Sequence, residues 1–187
     1  LLEVPGGFLC ACTYDDGLLN GLDMVVLLLN SSCITLDTKA FGTAADDVAR
    51  YLVKTDDGYY LLGYTENTST ETQIYSFDLI NGTISDGVKF ATISTTGIDL
   101  TGEKMVITAG GSLAVTGTIT NAENKDIFLQ LYPEGSDAIR LYFGETGNQT
   151  GNGIAATPDG GVIITGGNSY EGNSMITLVK TKENGQL

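Results

Sequence analysis

Histidine and tryptophan are both absent from this chain, and the first absence removes more chemistry than any motif adds. Without histidine, serine–histidine and cysteine–histidine nucleophile systems and histidine-ligated zinc sites cannot be assembled within the chain. Positive charge is scarce as well: nine basic residues stand against twenty-three acidic ones, the net charge is −14, and the lysines and arginines are scattered singly. Phosphate backbones and anionic membrane surfaces need clustered positive charge, so no nucleic-acid partner is expected. The acidic surface serves solubility first and the recruitment of cations second.

Cysteine is limited to positions 10, 12 and 33. Cys10 and Cys12 point the same way in a strand and lack the C-x-x-C spacing of a metal knuckle. Two readings stand: buried apolar cysteines, or a disulfide from Cys33 to one of the pair in an exporting compartment. The most apolar stretch, residues 22–29, is interrupted by Asp23 and is far too short to cross a bilayer, so no transmembrane segment is expected. Residue 1 is leucine and nothing before Gly6 reads as a signal core, which fits either a removed leader or a piece of a longer chain. A length of 187 residues makes one domain the default.

What is abundant is glycine, twenty-five residues of it, placed periodically. The stretch Thr157-Pro158-Asp159-Gly160-Gly161 followed by Val162-Ile163-Ile164-Thr165-Gly166 pairs a tight turn with a short apolar run closed by glycine. Weaker copies start at Gly6-Gly7, Asp56-Asp57-Gly58 and Gly110-Gly111, with Cys12, Gly63 and Gly117 at the closing position. Closing positions 12, 63, 117 and 166 are separated by 51, 54 and 49 residues. No segment keeps an apolar period of 3.6 for three turns, so essentially no helix is expected. Four strands per period are readable, and Asn81-Gly82 is the sharpest hairpin signal, predicting a return into a fourth strand over residues 84–90.

Four strands at a period near fifty predict an all-β chain, a β-propeller of four-stranded antiparallel blades with about four blades present over residues 1–42, 43–91, 92–144 and 145–187. A portion of a larger propeller and a closed four-bladed disc both fit, and a parallel β-solenoid is the competing architecture. The order Asp47-Val48-Ala49, then Thr157 to Gly166, then Ser174 to Lys180, then the closing Phe41-Gly42 and Phe143-Gly144 pairs resembles the propeller repeats of secreted and surface-anchored bacterial proteins. The resemblance implies an extracytoplasmic place, at the cell surface, outer membrane or periplasm, in a protein that can carry a lipid anchor.

Adjacent aspartates such as Asp56-Asp57 point to opposite faces of a strand and make a poor hydrolytic dyad; before a glycine they are turn chemistry. Asp46, Asp47, Asp99 and Asn152 are placed near the starts of strands expected to line a central channel, where they would form an oxygen-rich ring able to hold Ca2+ or sugar hydroxyls. Hydrogen bonding to the blade backbone is the alternative for the same residues. Tyr14, Tyr64 and Tyr170 are expected near one connecting loop, as faces for a sugar or peptide. Asn30-Ser31-Ser32, Asn67-Thr68-Ser69, Asn81-Gly82-Thr83 and Asn148-Gln149-Thr150 fit the glycosylation pattern and read as turns in a bacterial chain. The leading expectation is a non-catalytic binding module for a glycan, peptide or protein. Its rivals are a hydrolase or lyase using Asp, Glu and Tyr at the channel mouth, and a structural subunit of an outer-membrane assembly.

Overall fold

The computed structural model describes residues 1–15, 21–122 and 124–187, and among them there is no helix. Sheet 1 is formed by β1 (Leu2–Val4), β2 (Gly7–Asp15), β3 (Leu22–Asn30) and β4 (Thr35–Phe41) in spatial order. Next come β5 (Asp46–Thr55), β6 (Gly58–Glu66) and β7 (Thr70–Phe77), then a small hairpin of β8 (Leu79–Ile80) and β9 (Thr83–Ile84), then β10 (Val88–Ile93). Sheet 2 takes the order β10-β7-β6-β5. Sheet 3 is β11 (Asp99–Ile107), β12 (Leu113–Thr120), β13 (Lys125–Tyr132) and β14 (Ile139–Phe143); sheet 4 is β15 (Asn148–Ala156), β16 (Val162–Tyr170) and β17 (Asn173–Lys180). Each described pairing is antiparallel, which a parallel solenoid does not allow.

The turns follow from local chemistry. Thr157 N donates to Gly161 O at 2.9 Å and Gly160, at φ 87°, donates back to Thr157 O at 3.0 Å. Thr108, Gly111 and Ser112 build the same turn, with bonds of 2.9 and 3.0 Å, although the aspartate is missing. Asn81 and Gly82 both adopt positive φ, 53° and 80°, as the two-residue hairpin requires. The strand that follows is a correction, however. Asn81-Gly82 joins β8 to β9, and the fourth strand of sheet 2 is β10, four residues past the end of β9, not a strand over residues 84–90. The inserted hairpin leans on sheet 1, where Ile84 N donates to Asp37 Oδ2 at 2.7 Å and Lys39 pairs with Asp86. An Asn-Gly signal reports that a hairpin forms; it carries no information about which sheet the hairpin joins.

A β-bulge recurs in the first strands of three sheets. Arg50 is the extra residue in β5, Glu103 in β11 and Asn152 in β15, and the residue before each bulge, Ala49, Gly102 or Gly151, lies opposite the closing glycine Gly63, Gly117 or Gly166. The bulge bends the strand and drives a carbonyl toward its partner. A Cβ on Gly63, Gly117 or Gly166 would overlap the carbonyl oxygen of Val48, Thr101 or Thr150 respectively. The repeat therefore closes on glycine because the opposing backbone occupies the side-chain position. Cys12 stands beyond the β1 pairing, which ends with Leu2 opposite Leu9, so a side chain is accommodated there.

Two compact units result, Leu1–Gly97 and Ile98–Leu187. In the first, β5 lies across β2 and β3, and Leu9, Met24, Val26 and Leu28 share a core with Leu52, Tyr59, Leu61, Tyr75 and Phe77. In the second, β15 lies across β11, β12 and β13, over a core of Ala114, Ile127, Leu129, Leu131, Val162 and Ile164. The same side-chain-to-backbone bond fastens both stacks. Thr13 Oγ1 accepts from Ala49 N at 3.1 Å and Thr118 Oγ1 accepts from Gly151 N at 3.3 Å. Gly117→Ala or Gly166→Ala is expected to destabilise the second unit by about 2–3 kcal/mol. Gly167→Ala, whose added Cβ would meet nothing closer than Thr150 Oγ1 at 3.5 Å, should fall within about 0.5 kcal/mol of the parent in urea unfolding.

Candidate functional site

The start of each first strand is where the sequence concentrates its candidate oxygen ligands. Asp46 is exposed, and its Oδ1 accepts from Leu22 N at 2.9 Å, closing the start of β3 in the neighbouring sheet. Asn148, the first residue of β15, does the same for β13, accepting from Lys125 N at 3.0 Å. Asp99 opens β11 in the same register. Asn152 does not share this position: it is the exposed bulge residue of β15, equivalent to Arg50 and Glu103. Asn148 pairs with Ser169 four residues ahead of the bulge, as Asp46 pairs with Glu66 four residues ahead of Arg50, so the strand start belongs to Asn148 and only the pairing reveals it.

Asp47 is fully buried. Its Oδ2 accepts from Thr43 N at 2.6 Å and from Thr43 Oγ1 at 3.0 Å, and its Oδ1 accepts from the Thr65 hydroxyl. A carboxylate out of water persists when several donors converge on it, and here those donors come from the end of sheet 1 and the second strand of sheet 2. The Phe-Gly pair completes the arrangement. Phe41 enters the core, while a Cβ on Gly42 would come within 2.7 Å of Asp47 Oδ2 and 3.0 Å of Asp23 Oδ1. Gly144 is required in the same way, because the Asp126 side chain fills the space beside it. The two short motifs at the junction of consecutive repeats thus form one contact.

Tyrosines fall differently from the expected shared loop. Tyr14 and Tyr170 lie in the last residues of β2 and β16 and are exposed, whereas Tyr64 is buried within β6. Tyr64 is one residue past its closing glycine, Tyr14 two past Cys12 and Tyr170 four past Gly166, so Tyr64 occupies the opposite strand face from the other two. Its hydroxyl accepts from Arg50 Nη2 at 3.1 Å, and the guanidinium carbon sits 4.9 Å from the ring centre. The loop expected to hold Tyr14 begins only after it, since β2 runs through Asp15, and residues 16–20 lie outside the described residues.

Tyr75 was not singled out by sequence, yet it sits where these motifs meet. Its ring is 5.6 Å from Phe41, its hydroxyl donates to Gly42 O at 3.2 Å, and burial together with nearby Asp47 pushes its phenol up to about 12. The three cysteines are free: Cys10 and Cys12 are half-buried, not buried as one reading expects, and Cys33 is exposed in a turn at φ 60°. Burial, with Cys10 beside it, pushes the Cys12 thiol up. Among the described residues no three carboxylate or thiol groups gather as a metal cluster, and no helix is long and apolar enough to cross a membrane.

Neither a protein-family model nor a curated protein sequence matches the chain. The junction built on Asp47 is the site's best-defined feature. Asp47→Ala should cost about 2–4 kcal/mol in urea unfolding, because Thr43 N and the Thr65 hydroxyl lose a charged acceptor in the interior. Asp46→Ala, at an exposed position with one backbone donor, should cost about 1 kcal/mol or less.

Proposed function

We propose that the chain is β-propeller material acting as a non-catalytic binding scaffold outside the cytoplasm, with a glycan, peptide or protein as its partner. The observation carrying the architectural part is the repeated stacking of one meander on the next. In each unit the bulged first strand of the second sheet crosses the face of the first, and the same threonine fastens it. Blades stacked in this way hold their strand ends rigidly and leave the connections free to vary, which suits recognition. The extracytoplasmic, surface-anchored placement follows the resemblance of the repeat to bacterial surface proteins. Support for a binding role over a catalytic one comes from Asp47, whose carboxylate oxygens are taken up by Thr43 and Thr65 at a sheet junction. Arrays of glycans and peptides probed with the purified chain test this reading. Saturable binding without turnover is the expected result; shortened or unsaturated products would favour the hydrolase or lyase.

A second reading, a subunit of a larger assembly, is favoured by one face of sheet 4. Ile176 is 89% exposed and Leu178 66%, while the residues in their register, Met24 and Val26 of sheet 1 and Ile127 and Leu129 of sheet 3, are 0% exposed. In sheets 1 and 3 that face carries the first strand of the next sheet. Another sheet of the same kind, brought by a second copy, is the occupant that matches. Sedimentation should show association that rises with concentration and with salt, which screens the charge of −14, and that Ile176→Ser/Leu178→Ser abolishes. A strict monomer under all conditions would remove this reading.

A further inference from the structure

The two units repeat one another closely enough that a difference between them defines a site. Gln73 lies opposite closing Gly63 and Thr177 opposite closing Gly166, so Tyr75 and Val179 hold the same position two residues later. By the same count Phe41 matches Phe143, Gly42 matches Gly144, and Asp47 matches Gln149. In the first unit the Tyr75 ring packs on Phe41 and its hydroxyl donates to Gly42 O. In the second unit valine replaces tyrosine, and a cavity of about 400 Å³ opens, lined by Phe143, Gly144, Gln149, Asn168, Thr177 and Val179 among others.

The cavity has a polar floor that lacks a donor. Gln149 is 4% exposed; its Nε2 donates to Thr146 O at 3.1 Å and to Asn168 Oδ1 at 3.0 Å, which orients the amide. Its Oε1 is buried with no hydrogen-bond partner. A buried acceptor left unpaired is costly, and the atom that relieves it must be a donor. Phe143, half-buried where Phe41 is covered, supplies the ring wall. Tyr142 stands exposed at the rim.

We propose that this cavity binds a neutral para-substituted phenol, with the ring on Phe143 and the hydroxyl donating to Gln149 Oε1, in place of the Gly42 O that accepts the phenol of Tyr75 in the first unit. The ligand chemistry is read from the side chain that fills the equivalent space. Burial and then Asp47 raise the cost of ionising the phenol of Tyr75 in the first unit, and in the second the neutral amide of Gln149 is the acceptor, with Glu145 and Lys180 also on the cavity wall. A tyrosyl side chain of a peptide and a free phenol share this chemistry, and the experiment separates them. The inference rests on the comparison of the two units alone, so its failure would leave the propeller reading standing.

The test uses the whole chain, with amide shifts followed by NMR during titration with p-cresol, toluene, N-acetyl-tyrosine amide and N-acetyl-phenylalanine amide. Saturable shifts at Gly144 and Gln149 are expected, with p-cresol binding about tenfold or more tightly than toluene because only it brings the donor. A tyrosine amide that outcompetes cresol assigns the site to peptides; the reverse order assigns it to free phenols. Val179→Tyr should abolish the shifts and raise Tm by several degrees, and Gln149→Leu should erase the preference for the hydroxyl while keeping toluene binding. Equal binding of cresol and toluene to the parent chain, or no saturable shift with either, overturns the proposal whether or not the variants fold.

Discussion

The interaction on which the other contacts depend is the bulge in the first strand of sheets 2, 3 and 4. Inserting Arg50, Glu103 or Asn152 turns the backbone so that Val48, Thr101 or Thr150 presents its carbonyl to the neighbouring strand, and only glycine leaves room for it. The same turn directs the amide of Ala49 and of Gly151 away from its own sheet toward a threonine of the preceding one. One extra residue therefore links pairing within a sheet to stacking between sheets. Close approach follows: a Cβ on Gly151 would meet Gly117 O at 2.7 Å, so backbone lies on backbone where the two sheets of the second unit cross.

From that shared frame the two units diverge in what fills the space between their sheets. The first uses rings, with Phe41 5.5 Å from Phe77 and Phe77 stacked on Tyr59 at 5.5 Å. The second places Val162, Val179 and Thr181 at the positions of Tyr59, Tyr75 and Phe77. Aromatic side chains fill more volume and add favourable ring contacts, so their replacement by smaller residues leaves room at the same junction. The polar floor changes in step. A charged Asp47 needs the converging donors that Thr43 and Thr65 provide, whereas neutral Gln149 tolerates an unfilled acceptor at smaller cost.

Much of the fold was legible in sequence because turns and apolar runs are local. Glycines with positive φ, such as Gly160 and Gly111, announced the hairpins, and the apolar run from Val162 to Ile164 announced β16. What was illegible depends on register. Composition does not mark where a strand starts, so Asn152, a bulge residue, reads as part of a row that Asn148 occupies four residues earlier, and the inserted β8–β9 hairpin displaces the fourth strand of sheet 2 to Val88–Ile93. The candidate site was less legible still. Tyr75 reads as one more strand aromatic, and its role emerges only when Phe41, Gly42 and Asp47, separated by as many as 34 residues, are brought around it.

The acidic composition also takes on meaning from these placements. Carboxylates in this chain are used first as fasteners: Asp46 closes a strand start, Asp47 joins two sheets, Asp37 holds the inserted hairpin, and Asp159 holds its turn while pairing with Lys180 at 2.8 Å. Each accepts backbone or hydroxyl donors that a β-rich chain, with its many turns, must satisfy. A carboxylate accepts strongly, whereas lysine and arginine only donate, so a fold whose unmet needs are N–H groups selects acids over bases. Four of the twenty-three acidic residues therefore serve the turns and junctions directly. Against these fasteners stand the unpaired Gln149 Oε1 and the exposed Ile176 and Leu178 side chains, which no contact within the described chain has taken up.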